Sequence, residues 1–300
     1  MKQAIIIMNP SSGKEEAPAF VDSAAGLLRA QGYETMVKET EAEGDATRFC
    51  AEACAAGCEL VVSIGGDGTL HETINGFEAQ AHRPRLGIVP LGTVNDFARA
   101  LHIPLDPPLA IAALASSRTR RVDIGRLNGR LFANVVAAGP LAETLSAVSS
   151  EDKSRFGALA YFKEGVKDLL GRPGHPFVIR YDGTVWEGES PLFIAALTNS
   201  VGGFERLAPD AAVDDGLIHG FIVKDLSFFR TLTAGLSLLR GHLQDHKDVI
   251  YFTAKQVSVS SPSLAGTNVD GEEGPLLPLE LDILPRHIDV LVPEPDAVTS

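Results

Sequence analysis

The chain has 300 residues, of which 45% are hydrophobic and 22% are charged, and its formal net charge is −13 at pH 7. That length allows one large domain or two of ordinary size, and the acidic balance argues against broad nucleic-acid binding, which needs a basic surface. The sequence has no apolar run long enough to span a bilayer and no segment typical of a secretory signal, so we expect a cytoplasmic protein.

The three cysteines, Cys50, Cys54 and Cys58, are spaced by four residues, which places them along one side of a predicted helix. Free cysteines are commonly buried, and clustered thiols suit a reducing compartment. The spacing is not typical of a zinc or iron–sulfur site, which needs further ligands. We therefore predict three reduced, buried thiols.

The first third of the chain alternates between apolar runs and amphipathic segments. Strands are predicted over residues 4–8, 34–38, 60–64 and 85–89. Helices are predicted over residues 18–31, 44–56 (with Asp45 as a candidate cap), 70–77 and 94–101. This alternation predicts a parallel sheet with helices on its faces. The turns over residues 9–13, 65–69 and 90–96 each follow a strand, so we expect them to meet at the carboxyl edge of the sheet, where such folds bind ligands.

The pattern changes near Arg121, beyond which short β-type runs dominate. Asn128-Gly129 and Asp182-Gly183 are turn signals that suit tight hairpins. Strands are predicted over residues 121–126, 130–136, 177–181, 184–189, 192–198, 217–223, 249–253, 256–260, 279–284 and 288–292, and helices over 156–170 and 227–243. We therefore expect an α/β domain over 1–121, a mainly antiparallel, β-rich domain over 122–285, and a C-terminal segment, 286–300, that returns to the first domain.

The run Gly65-Gly66-Asp67-Gly68-Thr69 follows a predicted buried strand and precedes a predicted helix. Glycine lets the backbone approach a ligand closely, and the amides at a helix N-terminus face an anion favourably. Asp67 would repel a phosphate unless a cation lay between them, so the run indicates a nucleotide phosphate held with Mg²⁺. Neither standard nucleotide fingerprint is present, and the turn alone also fits structural glycines at a strand–helix junction.

Several runs taken together are more specific than the glycine turn. The N-terminal ones are Asn9-Pro10-Ser11-Ser12-Gly13-Lys14, Gly65-Gly66-Asp67-Gly68-Thr69-Leu70-His71-Glu72 and Pro90-Leu91-Gly92-Thr93-Val94-Asn95-Asp96-Phe97-Ala98-Arg99. The later ones are Asn199-Ser200-Val201-Gly202-Gly203, Ala208-Pro209-Asp210-Ala211, Asp214-Asp215-Gly216-Leu217, Leu239-Arg240-Gly241-His242 and Asn268-Val269-Asp270-Gly271-Glu272. In this order they resemble the diacylglycerol kinase catalytic domain family, which includes soluble bacterial lipid kinases and sphingosine kinases. The resemblance implies an α/β domain similar to NAD kinases and phosphofructokinases, followed by a β-sandwich-like domain.

The resemblance also implies roles for individual residues. The ATP-contacting positions fall on Asn9, Pro10, Ser11, Ser12, Gly13, Thr40, Gly66, Asp67, Gly68, Thr69, Leu70, His71, Glu72 and Thr93. In that pattern Glu72 reaches the ribose, Asp67 is linked to the catalytic Mg²⁺, and Asp96 is its partner. A structural Mg²⁺ site falls on Asp215 with the carbonyls of Ala212 and Leu217, although a solvated acidic turn remains an alternative there. His71 departs from the family, in which many members carry asparagine.

Glu272 matches the proposed general base of the family, and Asp270 is close enough in sequence to compete for that role. The acceptor is an alcohol whose proton must be removed as the phosphoryl group is transferred, and a carboxylate suits that task. We favour Glu272 as the catalytic base over Asp270. An exposed acidic β-turn without a chemical role is the remaining alternative.

These features predict an ATP-dependent lipid kinase that binds ATP between its two domains. Diacylglycerol, giving phosphatidate, is the leading acceptor, while phosphatidylglycerol and a sphingoid base remain open. The expected partners are ATP, a lipid alcohol and, during turnover, a membrane surface contacted peripherally; exposed strand edges also allow a homodimer. One alternative is NAD kinase-like phosphorylation of a soluble acceptor, and the other is a non-catalytic nucleotide- or lipid-binding module.

Overall fold

The structure, a computed structural model, describes residues 2–13, 17–140, 142, 174–200, 208–224, 244, 246–262 and 266–294. The chain divides into two compact units. The first unit contains the residues up to Ile124 together with the segment that begins at Arg286, and the second extends from Gly125 to Pro285. No helix in the described parts of the chain is long and apolar enough to cross a membrane.

The first unit is built on a parallel sheet with helices, as predicted. Its strands are β1 (Lys2–Met8), β2 (Tyr33–Glu39), β3 (Leu60–Gly65) and β4 (Arg85–Pro90). Its helices are α1 (Ala17–Ala30), α2 (Asp45–Ala55), α3 (Asp67–Asn75), α4 (Asp96–Ala100) and α5 (Pro107–Ala115). The strands lie in the order β2-β1-β3-β4, and every adjacent pair is parallel. Every residue of β3 is buried, as expected for a central parallel strand covered on both faces.

Two helices of this unit begin where the sequence analysis did not place them. Helix α3 starts at Asp67, three residues earlier than predicted, and Gly66 is its N-cap residue. Helix α5 was not predicted, although Asp106 caps it by accepting a hydrogen bond from the backbone N–H of Leu109. Prolines fill the first two positions of α5, and a cap residue followed by proline is a recognised start signal that could have revealed this helix.

Two expectations about α2 are also corrected. Asp45 does not cap this helix: Gly44 holds the N-cap position with a φ of 86°, and Asp45 is the first helical residue. Cys50 and Cys54 lie on α2, but Cys58 lies beyond its last residue, Ala55. All three thiols are free and buried, as predicted.

The second unit is mainly antiparallel, as predicted. The strands beyond β4 are β5 (Ser117–Leu127), β6 (Arg130–Phe132), β7 (Val135–Ala138), β8 (His175–Tyr181), β9 (Thr184–Ser190), β10 (Leu192–Ala196), β11 (Ile218–Val223), β12 (Val249–Ala254), β13 (Gln256–Ser260), β14 (Thr267–Val269), β15 (Glu272–Glu273) and β16 (Leu279–Pro293). One sheet has the order β12-β11-β10-β7-β14-β15, and β9, β8, β13 and the first half of β16 pair side by side. Their buried side chains form one apolar core that includes Phe132, Phe177 and Phe193.

Three differences from the predicted strands go beyond a shift of a boundary by a few residues. The strand expected over residues 130–136 is two strands, β6 and β7. The strands expected over 279–284 and 288–292 are the single strand β16, whose first half pairs with β13 and whose second half joins β4 of the first unit through Val290 and Leu86. Strands β14 and β15 were not predicted. The helices predicted over 156–170 and 227–243 lie outside the described residues.

Candidate functional site

The turns that follow β1, β3 and β4 contact one another at the carboxyl edge of the parallel sheet, as predicted. The Asn9 side chain donates a hydrogen bond from Nδ2 to Oγ1 of Thr69, in the first turn of α3, at 3.2 Å. The backbone N–H of Leu91, after β4, donates to the carbonyl of Gly65 at 2.8 Å. The three segments are therefore fixed to each other by hydrogen bonds within the first unit.

Two glycines allow the second and third turns to pack backbone against backbone. A Cβ atom on Gly92 would lie 3.0 Å from Cα of Gly66 and 2.6 Å from Oδ1 of Asn95, and a Cβ on Gly66 would lie 3.3 Å from Cα of Gly92. No larger side chain fits this contact without movement of the backbone. Beside it, the first turn of α3 carries N–H groups that have no acceptor within the helix, which is the donor set that binds phosphate at helix N-termini.

Asp67 links the second turn to the third. Its Oδ2 accepts from the backbone N–H of Asn95 at 2.9 Å, and its Oδ1 accepts from the N–H of Asp96 at 3.2 Å. Asn95 has a φ of 55°, and its side chain closes the turn by pairing with both backbone groups of Gly92. Asp96 is 8% exposed. The structure thus brings the two predicted partners, Asp67 and Asp96, into direct contact at the start of α4.

The turn after β1 is held in shape by Asn9. Its Oδ1 accepts from the backbone N–H of Ser11 at 3.0 Å and from the Ser11 hydroxyl at 2.7 Å, and its carbonyl accepts from the N–H of Ser12 at 3.1 Å. Pro10 lies inside this turn, and Gly13 ends the described part of it with a φ of 61°. Hydroxyl and amide groups of this kind suit phosphate contacts.

The remaining predicted nucleotide-contacting residues lie on the neighbouring segments. Thr40 follows β2, and its backbone N–H donates to the carbonyl of Met8 at 2.9 Å. Glu72, on α3, accepts from the N–H of Ala46 at the start of α2 at 3.2 Å. The carboxylate of Glu72 therefore joins α3 to α2, a contact that the sequence analysis missed. Its role toward a ribose stays a prediction.

Four further predicted residues differ in surroundings. Leu70 is buried on α3, where its backbone N–H donates to the carbonyl of the N-cap residue, Gly66. His71 is half-buried on the same helix, and its Nε2 lies 3.2 Å from Nδ2 of Asn75, one turn further along. Thr93 is exposed in the turn after β4, and Gly68 is half-buried in the first turn of α3.

Asp45 fixes the loop between Thr40 and α2. Its carboxylate accepts from the backbone N–H groups of Glu41 and Ala42 at 2.9 and 3.0 Å and pairs with the Arg48 guanidinium. The hydrogen bond from Glu41, followed by those from Arg48 and Ala42, lowers the pKa of Asp45 from 3.8 to about 2. The sequence signal for this contact is an acidic residue at the start of a helix. That signal predicts a cap of α2 rather than a bond to the preceding loop.

In the second unit, Asp270 and Gly271 form the two-residue turn between β14 and β15, with φ values of 51° and 95°. The Asp270 carboxylate accepts three backbone hydrogen bonds: from Ala133 at 2.7 Å and from Asn134 and Val135 at 2.9 Å each. These bonds hold the bend between β6 and β7. The three bonds orient the Asp270 carboxylate toward the backbone of this bend, so Asp270 fits a positioning role better than that of a base.

Glu272 is the first residue of β15 and is exposed. Within the described part of the chain its carboxylate has no hydrogen bond or ion pair. Its register is fixed, because Glu272 pairs with Val269 across the turn. Asp-Gly flanked by β-type residues is a strong hairpin signal, and it could have located this turn from the sequence.

Asp215 lies in a loop before β11 and is surrounded by hydrogen-bond donors. Its carboxylate accepts from the backbone N–H groups of Ala212 and Leu217 at 2.8 and 2.9 Å, and His219 Nε2 lies 3.0 Å from Oδ2. Nδ1 of the same histidine lies 2.7 Å from the Tyr251 hydroxyl. Burial raises the pKa of Asp215, but the bonds from His219 and the two amides outweigh it, so the pKa lies below its usual value.

The two predicted metal positions differ in their surroundings. Asp67 receives a backbone hydrogen bond at each carboxylate oxygen and lies beside Asp96, and a hydrated Mg²⁺ needs only one or two carboxylates plus waters and phosphate oxygens. Asp67 with Asp96 therefore fits Mg²⁺. Asp215 already receives three donors. The described residues contain no group of three or more ligating side chains that could hold a metal by themselves.

Comparisons with known proteins match both units of the chain. Residues 3–127 match the diacylglycerol kinase catalytic domain, and residues 134–292 match the YegS C-terminal NAD kinase beta sandwich-like domain. Diacylglycerol kinase from Staphylococcus aureus is 41% identical over 297 residues, which cover 97% of this chain and 93% of that protein. Diacylglycerol kinase from Staphylococcus epidermidis is 41% identical over 298 residues, covering 98% and 93%.

The crystal structure of a diacylglycerol kinase from Bacillus anthracis has 26% sequence identity to this chain and a TM-score of 0.79. The match covers 98% of this chain and 97% of that one. The two family domains follow one another along nearly the whole chain, in the order that the motifs predict. The fold expected from them, an α/β unit followed by a β-sandwich-like unit, is confirmed. This chain belongs to the diacylglycerol kinase family.

Proposed function

We propose that this protein transfers the γ-phosphoryl group of ATP to a hydroxyl of a membrane lipid, and that diacylglycerol, giving phosphatidate, is the acceptor. The observation that carries the proposal is the bonded pair of glycine turns with Asp67 held across them. The relatives named diacylglycerol kinase, which are 41% identical over nearly the full chain, support the same reaction class.

ATP binds to the first unit in this proposal. The donors for its phosphates are the Asn9–Gly13 turn, the start of α3 from Gly66, and Thr93, while Thr40 and Glu72 contact the nucleoside. When bound, Mg²⁺ neutralises charge on the phosphates, and Asp67 with Asp96 would hold it through water. The preformed turns supply orientation and electrostatic stabilisation, which account for most of the rate in phosphoryl transfer.

Glu272 takes the proton of the acceptor hydroxyl as the oxygen attacks the γ-phosphorus in line and the bond to the ADP oxygen breaks. Its exposure supports this assignment, because a base must reach a substrate, and Asp270 is occupied by three backbone amides. Asp270 serves as a positioning residue for the turn. The structural Mg²⁺ site at Asp215, with Ala212 and Leu217, stays a prediction.

The protein contacts the membrane peripherally during turnover and works from the cytoplasm in this proposal. A lipid acceptor requires that contact. An NAD kinase-like reaction is the second function class to separate from this one, because the second unit matches an NAD kinase beta sandwich-like domain.

The decisive experiment incubates the purified full-length protein with radiolabelled ATP, Mg²⁺ and one acceptor at a time. The acceptors are diacylglycerol, phosphatidylglycerol, sphingosine and NAD, and chromatography identifies the labelled product. We expect labelled phosphatidate from diacylglycerol at a rate at least tenfold above the other acceptors, on the order of the discrimination that one well-fitted apolar group provides. Labelled NADP without any labelled lipid would overturn the proposal, and ATP binding without turnover on any acceptor would indicate a binding module.

A further inference from the structure

The segment that follows the candidate base displays an exposed leucine. Among the described residues, the exposed large apolar side chains are Met36, Leu105, Leu109, Val185 and Leu276. Single exposed apolar residues are normal on protein surfaces, so exposure alone carries no argument. Leu276 differs from the others in position, because it lies four residues beyond Glu272 and is 54% exposed.

Hydrogen bonds and burial fix the backbone on both sides of Leu276. The N–H of Gly274 donates to the carbonyl of Thr267 at 2.9 Å, and the Thr267 hydroxyl donates to the carbonyl of Pro275 at 2.6 Å. The next residue, Leu277, is buried in the apolar core of the second unit. The fold thus holds this segment against β14, buries one leucine and leaves its neighbour in solvent.

Close packing of this segment depends on a glycine. A Cβ atom on Gly274 would overlap Oγ1 of Thr267 and lie 2.7 Å from Cγ2 of Val269. The segment therefore lies directly on β14, whose next residues form the Asp270 turn. Leu276 is presented from a fixed backbone, which is the condition for a specific substrate contact.

Along this segment charged residues come first and apolar residues follow, as the polar head of a lipid is followed by its hydrocarbon chains. Asp270, Glu272 and Glu273 are followed at once by the uncharged run Gly274-Pro275-Leu276-Leu277-Pro278. Four residues span at most about 14 Å, so Leu276 lies within that distance of Glu272. In a diacylglycerol the reacting hydroxyl is separated from the acyl chains by only a few bonds. A hydroxyl placed at Glu272 therefore brings hydrocarbon within reach of Leu276.

We propose that Leu276 is the contact for the hydrocarbon part of the acceptor lipid and so a specificity-determining residue of the kinase reaction. The inference rests on the proposed function. The partner is the acyl chain of the acceptor itself rather than the bulk bilayer, because the contact lies in the same short segment as the base. Its contribution is to acceptor binding, since an apolar contact of this kind is made before as well as during phosphoryl transfer.

The test compares Leu276→Ser with Val185→Ser, a matched control at 53% exposure on β9 of the same unit. Steady-state kinetics are measured with long-chain diacylglycerol in phosphatidylcholine vesicles and with a short-chain, water-soluble diacylglycerol. Leu276→Ser is expected to raise the KM for the long-chain acceptor about fivefold, the loss for half of a leucine side chain, with kcat and the KM for ATP unchanged. Leu276→Met should keep the wild-type KM for the long-chain acceptor, and Val185→Ser should also leave that KM unchanged.

Each other outcome overturns the proposal in a distinguishable way. A Leu276→Ser enzyme with the kinetics of Val185→Ser would show that no hydrocarbon contacts Leu276. An equal rise in KM for the short-chain acceptor would show that the substitution disturbs the turn rather than an acyl contact. Loss of binding to vesicles without diacylglycerol would assign the leucine to the bulk bilayer. A wild-type enzyme that phosphorylates no lipid would instead refute the proposed function, and the inference with it.

Discussion

Two turns of the molecule are each fixed by an aspartate that accepts backbone hydrogen bonds, but the residues beside the two aspartates differ. Asp67 in the first unit accepts two backbone hydrogen bonds from the start of α4, and Asp270 in the second unit accepts three from the bend between β6 and β7. Asp67 lies among glycines at a helix N-terminus, where we propose that the ATP phosphates bind. Asp270 lies two residues before the exposed Glu272. A fixed aspartate can thus serve as part of a site or as the support for the acid next to it.

The largest effect is expected from Asp67. Asp67→Ala should lower kcat more than about 10³-fold, because the substitution removes a carboxylate that, in the proposed function, would hold the Mg²⁺ that neutralises charge on the transferred phosphate. It should also lower the free energy of unfolding by about 1–2 kcal/mol, since two amides at the start of α4 lose their acceptor. Phosphatidate formation and urea unfolding measure the two effects.

Asp67→Asn separates charge from hydrogen bonding. Asparagine keeps an acceptor oxygen for the α4 amides, so its stability should lie closer to that of the wild type, while activity should remain low. Turnover near the wild-type rate in Asp67→Asn would show that the negative charge is not needed, and Asp67 would then be a support like Asp270.

The second prediction compares the two acids of the β14–β15 turn directly. Glu272→Gln should lower kcat about 10²–10³-fold with unchanged ATP binding, because the amide cannot take up the proton of the acceptor. Asp270→Asn should instead lower the free energy of unfolding by about 1–3 kcal/mol, since one carboxylate oxygen that accepts amides is replaced by a donor. Activity assays at saturating ATP, isothermal titration with ATP and urea unfolding give the three values.

The distinction between Glu272 and Asp270 would be wrong if each substitution had the effect expected of the other. A Glu272→Gln enzyme with unchanged kcat, beside a folded Asp270→Asn enzyme without activity, would make Asp270 the base. The carboxylate bonded to the amides of Ala133, Asn134 and Val135 would then be the group that takes the proton of the acceptor.

The sequence predicted the elements that have a strong periodic signal and missed those set by contacts at a distance. The parallel sheet follows from apolar runs such as that of β3, and the meeting of the turns follows from parallel topology. The interruption between β6 and β7 depends on Asp270, which is 135 residues or more away in sequence from the amides it accepts. No local pattern encodes such a contact.

The candidate site also combines features that the sequence predicts with features that it does not. Asp67 and Asp96 were expected to be partners from motif resemblance, but their contact is made by the backbone N–H of Asp96, which only coordinates reveal. Leu276 carries no motif, and its exposure depends on how Thr267 holds the segment. The Asp270-Gly271 hairpin, in contrast, was available from turn chemistry alone.

The third prediction concerns the contact between Gly66 and Gly92, which distinguishes the turn that contains Asp67 from the turn that contains Asp270. Gly92→Ala should lower the free energy of unfolding by about 1–3 kcal/mol and raise the KM for ATP, because the new methyl group meets backbone atoms of Gly66 that cannot move aside independently. Gly26→Ala is the control: this glycine lies in α1 with no atom near its missing Cβ, so alanine should stabilise the protein by about 0.5–1 kcal/mol. Equal, stabilising effects of both substitutions would show that the turns do not pack through glycine.

The smallest effect is expected from a third fixed aspartate, Asp45, which resembles Asp67 in its backbone bonds but accepts them from amides only four and three residues away. Its pKa of about 2 in the folded protein lies below the value of 3.8 for an ordinary aspartate. A lowered pKa stabilises the folded state above pH 3.8, and this stabilisation is lost as the pH falls from about 3.8 to 2. Asp45→Asn should therefore be slightly less stable than the wild type at pH 6, and the difference should shrink below pH 4.

Urea midpoints of the two proteins between pH 6 and pH 2.5 measure that difference. Its decrease on acidification should persist in part at high salt, because backbone hydrogen bonds from Glu41 and Ala42 contribute beside the salt-sensitive pair with Arg48. A difference that stays constant with pH would mean that the Asp45 charge does not hold the loop. The fixed aspartates that matter would then be Asp67 and Asp270, whose amides belong to segments distant in sequence.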